Sequence, residues 1–353
     1  MSRRHTAADV VVLGSGLTAC LVALELARAG KRTVVVGASE EPAPGHVPSG
    51  PPLAYVDAVR RWGRAGAGEL WELQRSAHTV LRAEWGQACD MGRAGGFTLA
   101  TSRTEGLALA ESEDLLRDDG FAGEFLDGFL LEARFAVRGF AAAYWAEDEA
   151  ELDAVALAGA ARAAALAAGA VLLDAAGAGL ADVSPSGVRA PTAEGDVSAP
   201  VAVLATAEAA RLSPDLAGSF AWRESRGVEL PARDGAPVPS PARACGGGAR
   251  WTSAAGPLLL EVTGGDPAAF AAEHLPQRAG PQGRGWSRRL GLSCDGLPWI
   301  GPLPGRPLFA ALAGAADLAY EPLLSRWAVS ELLTGRDATP ARLRAARAAS
   351  AML

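Results

Sequence analysis

Several features that mark other classes of protein are missing from this sequence. No apolar run approaches about 20 residues, the length that a transmembrane helix requires, and the start of the chain has no signal-peptide pattern. The cysteines are scattered without a C-x-x-C pair, which predicts neither a disulfide framework nor a zinc site; they are Cys20, Cys89, Cys245 and Cys294. These absences favour a cytoplasmic protein without a metal centre.

Lysine is scarce as well, and nearly all the basic residues are arginines. Lys31 is the single lysine, and the formal net charge is −7. An acidic balance disfavours nucleic acid as a partner. What the chain has instead is an apolar fraction of 49% over 353 residues, which is enough for about two domains with substantial cores.

Residues 8–37, ADVVVLGSGLTACLVALELARAGKRTVVVG, carry the clearest motif. The apolar run before Gly14 predicts a strand buried on both faces. Gly14 allows a sharp bend, Gly16 leaves room for a pyrophosphate beside the backbone, and Ala19 allows close packing of helix on strand. Gly30 ends the predicted helix, and residues 33–36 form the second strand. The free N–H groups and the dipole at the start of such a helix suit a diphosphate.

One expected group is missing from this motif. The second strand usually ends in an Asp or Glu that hydrogen-bonds ribose, but here it ends in Gly37. Glu40 and Glu41 follow and could substitute through an altered loop. No Arg or Lys nearby could hold a 2′-phosphate, which argues against NADP. The alternative interpretation of the motif is a glycine-rich turn that binds no nucleotide.

The helices predicted after this motif follow from apolar periodicity and from cap residues. They cover residues 56–88, divided by Gly63, Gly66 and Gly68; residues 105–118; residues 153–168 with Asp153 as N-cap; and the chain from about residue 322. Residues 40–55 are rich in Pro and Gly and predict no regular element.

The predicted strands follow from short apolar runs between turn residues. They are one strand after residue 91, one at residues 171–173, a three-stranded meander over residues 180–199, a buried strand at residues 201–204, short strands in residues 215–285, and one strand, residues 308–312, within residues 286–317.

Four blocks, in this order, resemble the D-amino acid oxidase/glycine oxidase (DAO) family of FAD-dependent oxidoreductases. They are VVVLGSGLTACLVALELARAGKRTVVV, GRAGGFTLATS, APVAVLAT and WSRRLGLSCDGLPWIGPLPG. The last is the most telling, because D-G-L-P-x-I-G-P-L-P-G is typical of the family at this place. The likeness extends over essentially the whole chain.

The resemblance implies an α/β fold: a Rossmann-like FAD-binding domain (GR2-type) with an inserted antiparallel β-sheet substrate domain. The implied FAD-binding domain is discontinuous, with residues 1–90, 148–214 and 286–353. The implied substrate or roof domain has residues 91–147 and 215–285.

By the same resemblance, FAD would be bound noncovalently, with its diphosphate over the glycine turn and its isoalloxazine flanked by the 45–50 loop and the segment from Gly314. The implied cofactor-binding residues are Gly14, Ser15, Gly16, Leu17, Thr18, Val36, Gly37, Ala38, Glu40, His46, Ser49, Val183, Ala205, Thr206, Gly314, Ala315, Asp317 and Leu318. Some relatives attach FAD through a His in this loop, but the spacing of His46 differs by about two residues. Cys294 does not match the position of the covalent Cys in sarcosine oxidases.

Two further positions depart from the family pattern. Asp317 would put a negative charge where a reduced, anionic flavin is normally stabilised. Leu290 stands where glycine oxidase-like members carry an Arg for the substrate carboxylate. Arg288 and Arg289 lie next to it, although a one-residue slip in a strand turns a side chain to the other face. Arg289 is the candidate clamp, bidentate and charge-assisted.

Two aromatic residues complete the substrate-pocket candidates. Trp251 falls where relatives often carry a pocket aromatic, and Tyr320 lies in the C-terminal block. The alternative for Trp251 is an ordinary core side chain in a β-sheet. In this family the flavin itself takes a hydride, so the absence of an acid–base pair does not argue against catalysis.

Three functions follow from these observations. The first is an FAD-dependent oxidase or dehydrogenase that oxidises the C–N bond of an amine or amino-acid-like substrate. The second is a degenerate family member that has lost FAD and serves as a binding or scaffold subunit. The third is the flavoprotein subunit of a hetero-oligomeric dehydrogenase. A homo-oligomer or a partner subunit is compatible with each, and the expected partner is a small-molecule amine, with neither nucleic acid nor a membrane span.

Overall fold

The structure is a computed structural model that describes residues 4–37, 44–92, 95–174, 182–206, 216, 220–231, 238–253, 257–280, 282–313, 318–336 and 338–344. The chain divides into two compact units. The first consists of Met1–Glu40, Ala156–Trp222 and Leu290–Leu353, and the second of Glu41–Val155 and Arg223–Arg289. Residues 41–90, which the resemblance places in the FAD-binding domain, belong to the second unit in this division. No helix in the described ranges is long and apolar enough to cross a membrane.

The described strands, in chain order, are β1 (Arg4–Ala7), β2 (Val10–Leu13), β3 (Thr33–Gly37), β4 (His46–Val47), β5 (Gly96–Ala100), β6 (Gly123–Asp127), β7 (Ala142–Ala146), β8 (Ala150–Glu151), β9 (Val171–Asp174), β10 (Asp182–Ser184), β11 (Gly187–Thr192), β12 (Gly195–Ala199), β13 (Val201–Leu204), β14 (Phe220–Leu230), β15 (Ala242–Ala244), β16 (Ala249–Thr252), β17 (Leu258–Thr263), β18 (Gly285–Ser293), β19 (Trp299–Pro302) and β20 (Leu308–Leu312).

The described helices are α1 (Leu17–Arg28), α2 (Tyr55–Trp85), α3 (Arg103–Asp118), α4 (Gly128–Phe135), α5 (Ala154–Ala167), α6 (Pro267–His274) and α7 (Glu321–Thr334). α5 begins where the sequence predicts, because the carboxylate of Asp153 accepts a hydrogen bond from Val155 N at 2.9 Å. α2 is broken at Gly63, whose φ of 74° is outside the helical range. Of the three glycines predicted to divide this helix, only Gly63 does so.

The main sheet of the first unit has the strand order β19-β20-β13-β2-β3-β9. All neighbours are parallel except β19 and β20. β2 lies in the middle, with β3 on one side and β13 on the other, so the chain order reverses beside β2. Such a reversal opens a crevice at the carboxyl ends of the strands, where doubly wound folds bind ligands. The predicted Rossmann-like fold is confirmed.

A second sheet in this unit has the order β1-β12-β11-β10. Its last three strands form the predicted meander. β1 was not predicted, because its sequence RHTA has no apolar run, and it forms by parallel pairing with β12. The meander packs Val188, Ala190 and Val197 into the same core as β2 and β13.

The second unit contains most of an eight-stranded sheet with the order β18-β14-β17-β16-β15-β5-β7-β6. Alternate residues of its strands enter one apolar core, which includes Leu99, Leu260 and Trp251. Its neighbouring strands are antiparallel except for β15 with β5 among the pairings that the structure describes. The predicted antiparallel β domain is confirmed in this sense.

Four elements correct the sequence predictions. Residues 40–55 do contain a strand, β4, which pairs with β8. Residues 286–317 hold three strands rather than one. β18 was not predicted because two arginines interrupt its apolar residues, and β19 was not predicted because it contains a glycine and a proline, which an edge strand tolerates. α6 was missed, although Asp266 caps it by accepting from Ala268 N and proline occupies its first position.

The start of α3 supports a first stability prediction. Ser102 accepts a hydrogen bond from Glu105 N at 3.2 Å, and Glu105 accepts one from Ser102 N at 3.0 Å. Because this capping box satisfies two N–H groups, Ser102→Ala should lower the free energy of unfolding by about 1 kcal/mol. Urea unfolding tests this. Ser102→Thr is the matched control and should keep most of the stability; equal losses in both variants would contradict the assignment.

Candidate functional site

The glycine turn follows β2 and is held by the strands on both sides. Gly14 N donates to Val36 O at 3.0 Å, and Ala205 N donates to Leu13 O at 2.9 Å. Gly14 has φ +127°, and a Cβ there would lie 3.2 Å from backbone atoms of Ala205 and from Cβ of Thr206. Glycine is therefore required by both conformation and space. The structure brings together Gly14, Val36, Ala205 and Thr206, four of the residues that the resemblance implies for the cofactor; their contact with it stays a prediction.

The N-terminus of α1 has no side-chain cap. Gly16 is its N-cap and supplies no side-chain hydrogen bond to the first turn, so the first N–H groups have no partner within the helix. Ser15 Oγ is buried and has no hydrogen-bond partner among the described residues. Free N–H groups, the positive end of the helix dipole and a hydroxyl at one turn are the donor set that a diphosphate requires.

Gly37 has a structural cause that its sequence position alone did not reveal. A Cβ at Gly37 would lie 2.6 Å from the carbonyl carbon of Gly14 and 2.9 Å from Ser15 N. These are backbone atoms, which cannot move aside as a flexible side chain can. No acidic side chain fits here with this backbone, so a ribose contact of the usual kind is excluded at position 37.

Glu321 contacts the same helix terminus and was missed from the sequence. Thr18 Oγ1 donates to Glu321 Oε2 at 2.8 Å, and both residues are buried. Thr18 is the second residue of α1, and Glu321 is the first of α7. An acid directly before a proline at a helix start could have indicated this residue, because acids favour helix N-termini.

The remaining predicted cofactor residues divide into two groups. Ala38, Glu40, Gly314, Ala315 and Asp317 lie outside the described residues. The others are placed as follows: Leu17 is buried in the first turn of α1, Val183 is half-buried in β10 against the first unit's core, Leu318 is half-buried before α7, and His46 and Ser49 belong to the second unit.

His46 and Ser49 share one buried carboxylate. His46 Nε2 lies 2.7 Å from Glu149 Oε2, and both side chains are 2% exposed. Glu149 Oε1 accepts hydrogen bonds from Ser49 N at 3.2 Å and from Ser49 Oγ at 3.1 Å. The pairing of β4 with β8 brings these residues together. Glu149 was not predicted, because no local sequence motif indicates it.

Burial and neighbouring charges set the protonation states of Glu149 and His78. Burial raises the pKa of Glu149, but His46 and then Arg243 more than offset it, and the pKa falls to about 2. The carboxyl is therefore ionised at neutral pH. Burial lowers the pKa of His78, which contacts Pro48 O at 3.1 Å, to about 4. His78 is therefore neutral at neutral pH. The 44–50 loop is held by the ionised carboxylate of Glu149 and by the neutral imidazole of His78.

The three substrate-pocket candidates occupy different surroundings. Trp251 is fully buried, donates from Nε1 to Pro239 O at 2.6 Å and packs near Phe140 and Phe270. These are the contacts of a core side chain and lend no support to a pocket role. Arg289 is exposed on β18, and Tyr320 is buried directly before α7. A substrate role for each stays a prediction.

A different arginine stands on the strand face of Leu290. Because side chains alternate along a strand, Arg288 shares that face and Arg289 does not. Arg288 is bound to Glu261, which also accepts hydrogen bonds from Arg250 at 2.6 and 2.8 Å. Burial raises the pKa of Glu261, but the two guanidinium groups outweigh it and lower the pKa to about 2.

The family of the chain is established by comparison. The model of the DAO family, FAD-dependent oxidoreductases, matches residues 9–332. The chain belongs to this family, and FAD is the cofactor of its class. The open helix terminus, the unpartnered Ser15 hydroxyl and the crowded Gly14 fit the diphosphate of that cofactor. No curated protein matches the sequence.

Solved structures share this fold at low sequence identity. Glycine oxidase from Geobacillus kaustophilus superposes with a TM-score of 0.75 and 21% identity, covering 95% of this chain and 96% of that chain. NikD, described as an unusual amino acid oxidase essential for nikkomycin biosynthesis, gives 0.72 and 17%, covering 96% and 97%. L-proline dehydrogenase from P. horikoshii gives 0.70 and 16%, covering 99% of each chain.

Proposed function

We propose that this protein oxidises a C–N bond of an amine or amino-acid-like substrate, with FAD as the hydride acceptor. The observation that carries the proposal is the glycine turn: an uncapped helix N-terminus and a buried, unpartnered Ser15 hydroxyl beside Gly14. Membership of the DAO family and likeness to structures named as amino acid oxidases support the substrate class.

FAD, when bound, supplies the redox chemistry: it accepts the hydride from the carbon beside nitrogen. The residues of the chain would bind the cofactor and orient it. Gly14, Ser15, Gly16 and the first turn of α1 would hold the diphosphate. Glu149 holds the 44–50 loop through His46 and Ser49. We propose that the sheet of the second unit serves as the substrate domain.

The substrate preference follows from Leu290. Without an arginine there, a carboxylate beside the nitrogen has no bidentate partner at the usual place, and Arg288 is bound to Glu261. We propose that the substrate is a larger or less acidic amine rather than a simple amino acid.

The visible spectrum of the purified protein tests the cofactor, and an anaerobic panel of amines tests the reaction. We expect a yellow protein whose FAD is released by denaturation, because His46 Nε2 faces Glu149 rather than a flavin. His46→Ala should leave this release complete. FAD that stays attached after denaturation, and becomes releasable in His46→Ala, would contradict noncovalent binding.

Bleaching of the flavin by an amine, and not by the corresponding alcohol, is the expected result of the panel. Bleaching only after addition of a second protein would favour the flavoprotein subunit of a hetero-oligomeric dehydrogenase. A colourless protein that takes up no FAD on reconstitution would favour the degenerate binding subunit.

A further inference from the structure

We propose that Glu321 controls the affinity for FAD, and that its carboxyl takes up a proton when the diphosphate binds. The inference rests on FAD as the cofactor but not on the identity of the substrate. Its basis is the contact of Glu321 Oε2 with Thr18 Oγ1 at 2.8 Å, in the first turn of the helix that follows the glycine turn and has no side-chain cap.

The contact determines what Thr18 offers to a phosphate oxygen. A hydroxyl has a single proton to donate, and an ionised Glu321 accepts it. The hydroxyl oxygen of Thr18 then has no proton left to donate, and its lone pairs repel the oxygens of a nearby anion. When Glu321 is protonated, its own O–H donates to Thr18 Oγ1 and the hydroxyl proton of Thr18 is free for a phosphate oxygen.

Electrostatic repulsion between the diphosphate and Glu321 also favours protonation of Glu321. A diphosphate and an ionised carboxylate near one helix terminus repel each other, and binding of the first favours protonation of the second. The buried position of both Thr18 and Glu321 reduces screening by water and salt.

The other charged groups described near this contact on α1 and α7 lie farther along the two helices. On α1, Glu25 pairs with Arg28 at 3.3 Å and approaches Arg326 of α7 at 3.9 Å, about two turns from Thr18. β19 and β20, which also pack on α7, have the sequences WIGP and LFAAL and carry no titratable side chain. Among the described residues of these elements, Glu321 is the acid at the terminus of α1.

The test is the dissociation constant of FAD, measured by titration of the full-length apoprotein between about pH 5.5 and pH 8.5. We expect the wild type to bind about tenfold more weakly at the alkaline end. Glu321→Gln should bind about tenfold more tightly than wild type at alkaline pH, with a flat pH profile. ADP, which carries the same diphosphate, should show the same dependence as a competitor.

Three control variants make the result decisive. Glu25→Gln removes a nearby carboxylate and should keep the wild-type profile. Thr18→Val should lose affinity mainly at acid pH, and Thr18→Ser should restore it. A structural role for Glu321 alone predicts weaker binding and a lower Tm in Glu321→Gln; that outcome, or an unchanged profile, overturns the proposal. If neither the wild type nor any variant binds FAD at any pH, the cofactor assignment fails as well. If FAD binds but no amine reduces it, only the proposed reaction is refuted.

Discussion

Replacing Gly37 with alanine should weaken FAD binding by about ten- to a hundredfold. The added Cβ would lie 2.6 Å from the carbonyl carbon of Gly14, so the glycine turn must move away from β3. Overpacking of this kind costs about 1–3 kcal/mol, and displacement of the turn spoils the N–H groups that the diphosphate needs; each 1.4 kcal/mol is tenfold in affinity. Titration of the apoprotein with FAD, with Tm measured in parallel, gives both effects.

Two further variants separate this crowding from other causes. Gly159→Ala changes a glycine of α5, in the same unit, where an added Cβ meets nothing within 4 Å; it should leave FAD affinity unchanged and stabilise the helix by up to about 1 kcal/mol. Gly37→Glu restores the residue type usual in this motif but should bind FAD no better than Gly37→Ala. Tighter binding by Gly37→Glu than by the wild type would show that the crowding is not present in solution.

Replacing Glu261 with glutamine should destabilise the second unit by about 3–5 kcal/mol. The variant keeps the side chain's shape but leaves Arg250 and Arg288 beside a neutral group, and an uncompensated buried charge carries a cost of this size. Glu261 is 1% exposed and the side chains of Arg250 and Arg288 are 13% and 22% exposed, so solvent replaces the lost carboxylate only in part. Urea unfolding at pH 7 measures the difference, and hydrogen exchange of β16 and β17 locates it.

The same variant has a defined pH dependence. The folded pKa of Glu261, about 2, lies below the usual value of about 4.3 in an unfolded chain. Its contribution to stability is therefore complete above about pH 4.5 and is lost as the pH falls towards 2, an amount of about 3 kcal/mol. The gap between wild type and Glu261→Gln should shrink over that range. Glu224→Gln removes an exposed carboxylate of β14 and should change stability by less than about 1 kcal/mol; an equally large loss there, or a gap that stays constant down to pH 2.5, would contradict this account.

The fold could be predicted because its signals are local. The apolar runs of β2 and β3, the bend at Gly14 and the helix between them occupy neighbouring positions in the chain, and each element favours the same βαβ unit. The meander of β10 to β12 follows from turns between alternating residues. β1 and β18 could not be predicted in this way, because one has no apolar run and the other has adjacent arginines in its middle.

The candidate site could be predicted only in part, for the same reason. The resemblance placed the diphosphate over Gly14, Ser15, Gly16 and Leu17 and included Thr18 among the cofactor-binding residues. The sequence identified Gly37 as a departure without its cause. Glu149 and Glu261 were not predicted. Their partners are more than 25 residues away or on other strands, and a buried carboxylate acquires its role from whatever the fold places beside it.

By itself, the sequence determined the βαβ unit, the class of cofactor and the absence of an acid at the end of the second strand. Only the tertiary structure decided that no acid fits at Gly37, that Glu321 reaches Thr18, and that Arg288 rather than Arg289 shares the face of Leu290. The physical reason is range. Backbone propensity and turn chemistry act over a few residues, whereas clashes, buried ion pairs and strand faces depend on groups that are distant in the chain and meet only after packing.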